Sequence, residues 1–214
     1  MSPFRAAATA VSAESSALDA EIASVVCSLC DRYGIDSGRV YVTEMGGFRG
    51  GLGNAIPIPV PFRRIYLVRY HRCIREADPL ALRGLFAHEL MHVLQYSRAR
   101  YSDLSRFIVR YGAFSATAAL KTSFYFDWVR QLEHLTDLMA VKFGEGESIA
   151  AWKRFKADAT TRGIIRDSWD HLYLRDAEID SLAADEVNLG LRIGRCVAVL
   201  RAKDSLRPFA SETS

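Results

Sequence analysis

The sequence predicts an α+β fold in which a small mixed β-sheet packs on a buried helix and further helices follow. Three observations predict it. β-Rich runs are confined to the stretch from about Arg39 to Tyr70, apolar residues recur at helical spacing on both sides of it, and prolines on alternate positions mark one strand as an edge. With 214 residues, 50% of them apolar and 25% charged, the chain can bury a core and reads as one domain over 1–214.

The elements follow in order. Leu18, Ile22, Val25, Val26 and Leu29 define an amphipathic helix from about Ala13 to Tyr33, with Gly34 as its stop. Arg39 to Thr43 reads as a strand, and Gly46, Gly47, Gly50, Gly51 and Gly53 then read as a loop. That loop lacks the Gly-Lys-Ser/Thr ending of a phosphate-binding loop. In Asn54 to Pro61 the prolines at 57, 59 and 61 remove backbone donors from one side, which confines the strand to an edge. Arg64 to Tyr70 reads as a strand paired inside the sheet. Asp78-Pro79 opens a helix running to about Tyr96. A short helix around Leu104 to Tyr111, an Ala/Ser/Thr segment, a helix from Asp127 to Gly144, another over Trp152 to Thr160 and a last one over Ala177 to Leu200 complete the reading.

Composition excludes some functions. A net charge of +3 from 28 basic and 25 acidic residues is too small for the footprint of a nucleic-acid binder, and no run is apolar enough to span a membrane. Four cysteines and no secretory signal point to a cytoplasmic protein, with Cys27 and Cys30 as ordinary buried thiols. The arginines at 63, 64, 69, 72 and 75 read as a solvated face.

The chemistry concentrates in the helix from Pro79, which carries His88-Glu89-Leu90-Met91-His92. At about 100° per residue, His88 and His92 stand one turn apart on one face and both imidazoles can reach one metal ion. Glu89 sits round from them, placed to hold a water on that metal. The helix is apolar on most sides, so burying two imidazoles and a carboxylate there without partners is costly. A zinc site wants a third protein ligand, and Glu133 and Asp137, four apart on the next long helix, are like charges that call for compensation. A metal on Glu133 and an imidazole N–H on Asp137 would supply it. The long interval between His92 and Glu133 leaves His134 and Asp137 as alternative ligands.

His88-Glu89-x-x-His92 followed by Glu133-x-x-x-Asp137 resembles the gluzincin branch of the zincin metallopeptidases, over roughly residues 40–144. The Gln95 that follows is similar to small bacterial minimal gluzincin-like domains. The resemblance implies a zincin-like fold with zinc held by His88, His92 and Glu133, Glu89 as general base, and hydrolysis of a peptide or protein substrate. It also implies that Asn54-Ala55 begins an edge strand to which substrate adds, and that a Tyr or His stabilises the oxyanion. Tyr125, His171 and Tyr173 are the candidates by type; His71 and His134 read as bystanders. The alternative to an enzyme is a zincin-like binding or regulatory protein with a structural metal.

Overall fold

The computed structural model describes residues 3–45, 51–60, 63–97, 123–166 and 170–205. The helix expected at 104–111, the Ala/Ser/Thr segment and most of the glycine loop lie outside the described residues.

Helix α1 (Pro3–Tyr33) begins earlier than its periodicity predicts and stops where Gly34 predicts. Gly34 adopts φ 68° there, while the amides of Gly34 and Ile35 return to the carbonyls of Asp31 and Cys30. This closes the last turn in the left-handed conformation that glycine reaches at no steric cost. Cys30 is buried, but Cys27 lies on the exposed side of the helix, which corrects the expectation for that thiol.

Strands β1 (Val40–Met45), β2 (Gly53–Val60) and β3 (Arg63–His71) form one sheet in the order β1-β3-β2. β1 runs parallel to β3, and β2 runs antiparallel to it. β3 is therefore central and β2 an edge, as the prolines require. The amide of His71 donates to the carbonyl of Leu52 at 2.7 Å, which fixes the hydrogen-bond phase of the β2–β3 ladder. Because phase alternates along an antiparallel pair, Asn54, Ile56 and Ile58 pair with β3, while Gly53, Ala55, Pro57 and Pro59 turn their backbone groups to the open side. Gly53 and Ala55 thus offer both N–H and C=O outward, whereas Pro57 and Pro59 offer C=O alone.

Helix α2 (Pro79–Ser97) starts as expected, with the Ala81 amide donating to the Asp78 carboxylate at 2.8 Å. Every residue from Gly84 to Tyr96 is buried, so the polar His88, Glu89, His92 and Gln95 are enclosed along with the apolar residues of this central helix. It packs against β2 and β3 on one side and against α1, α3 (Ser123–Ala140) and α4 (Gly146–Thr161) elsewhere. The contact with α4 is close because residue 84 is glycine: a Cβ there would stand 1.9 Å from the Ser148 carbonyl oxygen. At the far end of α2, Arg64 donates to the Tyr96 carbonyl at 3.2 Å, satisfying one of the orphan acceptors of a helix terminus. Of the other arginines of the basic run, Arg69 is paired with Asn54 and Arg75 with Glu44 and Asp19, Arg72 is exposed, and the side chain of Arg63 lies outside the described residues.

A wide turn over Val141–Glu145 separates α3 from α4. Within it the buried Glu145 accepts from Arg32 of α1 and from Arg83 of α2 in a forked pair at 2.6 and 2.7 Å, which ties three helices together. The helix expected over 177–200 is instead two, α5 (Asp176–Ala183) and α6 (Glu186–Ser205). Asp185 explains the break, because its side chain accepts from the Asn188 amide at 2.9 Å and caps a new helix. None of the described helices is long and apolar enough to cross a membrane.

Candidate metal centre

His88 and His92 project from the middle of α2 and meet Glu133 of α3. Their Nε2 atoms lie 3.2 Å apart, and Glu133 Oε2 stands 3.1 Å from the first and 3.3 Å from the second. All three side chains are buried or nearly so, and together they could hold a metal ion. The outer hydrogen bonds decide which ring nitrogens face the centre. His88 Nδ1 is 2.8 Å from Asp137 Oδ1, and an ionised carboxylate only accepts, so Nδ1 carries the proton. His92 Nδ1 is 3.2 Å from Gln95 Oε1, while Gln95 Nε2 donates to Thr136 Oγ1 at 3.0 Å and Thr136 donates to the Leu132 carbonyl at 2.8 Å.

Both Nε2 atoms therefore turn lone pairs inward, and a carboxylate oxygen joins them. Three acceptors converge with no donor among them, an arrangement that a cation resolves. Four tetrahedral donors about 2.0–2.2 Å from one ion would stand about 3.3–3.6 Å from one another. The observed separations of 3.1, 3.2 and 3.3 Å lie at or slightly below that spacing.

The three carboxyls around the cluster sit in different fields. Burial works to raise the Glu133 carboxyl, yet the neighbouring imidazoles, His92 foremost, hold it well below the ordinary carboxylate value. Asp137, wholly buried, is likewise held low against burial, by Lys153 and then His88. Glu89 goes the other way. It is 4% exposed, its Oε2 has no hydrogen-bond partner among the described residues, and burial pushes its carboxyl up to about 8.

A cavity of about 210 Å³ opens on the cluster, walled by Gly53, Asn54 and Ala55 of β2, by Glu89, and by Val129 and Tyr173. Of the three aromatic or imidazole candidates, Tyr173 lines this cavity, its ring 5.7 Å from that of His88. His171 is exposed on the short turn over Asp170–Leu172, and the side chain of Tyr125 lies outside the described residues. Asn54 borders the cavity, but its Oδ1 accepts from Arg69 at 2.9 Å and its backbone pairs with β3, whereas no described residue pairs with the outward backbone groups of Gly53 and Ala55. His134 does not join the cluster, and Asp137 serves His88 from behind. His71 instead caps the turn over Arg72–Glu76.

Several residues around the site escape a sequence reading. Thr136 completes the chain of bonds behind His92, and Tyr96 stacks on the His92 ring. Trp152 stands 4.7 Å from the His88 ring. Lys153 and Lys156, both buried, place their ammonium groups 4.1 and 3.7 Å from the centre of the Tyr173 ring. The available signal is their spacing: two lysines three apart in a helix otherwise rich in Ile149, Ala150 and Trp152 fall on one side of it. Comparison of the chain with protein-family models, curated protein sequences and solved structures gave no match.

Proposed function

We propose that this protein is a zinc-dependent metallopeptidase of gluzincin type. The observation that carries the reading is the convergence of His88 Nε2, His92 Nε2 and Glu133 Oε2, at 3.1–3.3 Å from one another, beside a buried carboxylate with an oxygen that has no partner among the described residues. Two imidazoles and one carboxylate are the donor set of catalytic zinc, which leaves the fourth position for water or substrate. When bound, zinc supplies Lewis-acid chemistry, polarising a carbonyl and acidifying water.

The protein's own groups account for the rest. Asp137 and Gln95 fix the two imidazoles with Nε2 inward. Glu89 takes a proton from water as its oxygen bonds to the scissile carbonyl carbon, and returns that proton to the departing amine nitrogen as the C–N bond breaks. A carboxyl raised toward neutrality suits this double duty. The outward N–H and C=O groups of Gly53 and Ala55 align an extended peptide along β2 beside Glu89, and Tyr173 walls the far side.

Elemental analysis together with hydrolysis of a fluorogenic peptide library tests the reading. The wild type should carry one equivalent of zinc and cleave. Glu89→Gln should keep the zinc and lose at least about 100-fold in kcat/KM. Turnover retained in Glu89→Gln overturns the assignment of the base, and absence of zinc overturns the site. One equivalent of zinc in a wild type that cleaves nothing supports a binding or regulatory protein instead.

A further inference from the structure

We propose that Lys153, which touches neither the metal position nor the cavity, is a positioning residue that holds His88 in its ligating orientation through Asp137. The proposal rests on the metal reading above. Asp137 is fully buried and divides its two oxygens: Oδ1 receives the His88 Nδ1 proton at 2.8 Å, and Oδ2 faces the Lys153 ammonium at 2.8 Å. Lys153, itself 7% exposed, comes from α4, so three helices contribute one link each to the line Lys153, Asp137, His88.

The physics of the line is charge compensation. A lone buried carboxylate is costly, and one with a single imidazole partner has a free oxygen in apolar surroundings. The ammonium lies against that oxygen as an ion pair and offsets its charge, which keeps the carboxylate an acceptor for the N–H of His88. Outer partners of this kind set ring orientation and metal affinity. The same ammonium lies 4.4 Å from the Trp152 ring centre and 4.1 Å from that of Tyr173, and those two rings stand 4.7 and 5.7 Å from His88. Lys153 is thus seated against the two rings that also pack on the imidazole.

Zinc affinity, measured by chelator competition, tests the proposal independently of turnover. The wild type must first bind zinc; if it does not, the metal reading fails, and the Lys153 line fails with it. Given binding, Lys153→Met should weaken zinc about 10- to 100-fold, and Lys153→Arg should stay within about threefold of the wild type. A folded Lys153→Met that binds as tightly as the wild type overturns the proposal. Because removing the ammonium alone leaves Asp137 Oδ2 without its counter-charge and can unfold the protein, the neutral pair Asp137→Asn with Lys153→Met is compared with Asp137→Asn alone. Equal affinities in these two show that Lys153 acts through Asp137. A further loss in the double variant refutes that route.

Discussion

A Cβ added to Gly53 would stand 2.8 Å from Oε1 of Glu89 and 2.8 Å from Cδ1 of Leu85. The first residue of the edge strand therefore lies directly on the carboxylate assigned as base, and the absence of a side chain at 53 is what admits it. Gly53→Ala should push Glu89 aside without touching His88, His92 or Glu133. The expected result is at least a tenfold fall in kcat/KM, since displacement of a reacting group by about 1 Å costs up to about 100-fold. Zinc affinity should remain within about twofold. A variant with wild-type turnover would show that Glu89 does not depend on this contact.

Much of this site is legible in the sequence because its signals are local. The turn spacing of His88 and His92, the four-residue spacing of Glu133 and Asp137, and the Asp78-Pro79 helix start each lie within a few residues, and backbone geometry alone converts them to shared faces. The prolines of β2 work the same way, through a missing donor. Lys153, Trp152 and Thr136 are different. Their roles depend on how α3 and α4 cross α2, which no local pattern encodes. Asp185 shows a third case, where helical periodicity runs through a break that a single capping side chain imposes.

The crossing of α2 and α4 yields a stability prediction. Gly84 brings the helices so close that a Cβ would meet the Ser148 carbonyl oxygen at 1.9 Å and the Trp152 Cβ at 2.8 Å. Backbone cannot yield as a flexible side chain can, so Gly84→Ala should force the helices apart. A loss of about 3 kcal/mol is expected, seen as a fall of about 6–12 °C in Tm. An unchanged Tm would contradict the packing described for these two helices.

Acid sensitivity should arise in part from His71, which caps the turn over Arg72–Glu76. Burial lowers its pKa from the ordinary 6.5, the Arg72 charge lowers it further, and Glu44 opposes both. Its Nδ1 accepts from the Cys73 amide at 3.2 Å, a bond the protonated ring cannot make. The unfolded chain then binds this proton more readily than the folded one, so stability is full above 6.5 and is lost as pH falls below it. Urea unfolding of the zinc-free protein between about pH 7 and 5 should show this slope, and it should be shallower in His71→Asn, which keeps an acceptor but does not titrate. Identical slopes would remove His71 as a source.

The open side of β2 gives the last prediction. Pro57 and Pro59 carry no N–H, so another strand can pair fully with this edge only at Gly53 and Ala55, next to Glu89. An edge with donors along its whole length is a template for association with further chains, and proline is one of the devices that blunts it. Replacing Pro57 and Pro59 together by Val restores two outward donors while preserving strand propensity. The double variant should self-associate at concentrations where the wild type stays monodisperse, as read by light scattering. It should keep its zinc affinity, because Gly53, Asn54 and Ala55, the described strand positions that wall the cavity, are unchanged. A variant as monodisperse as the wild type would mean that something other than the missing donors protects this edge.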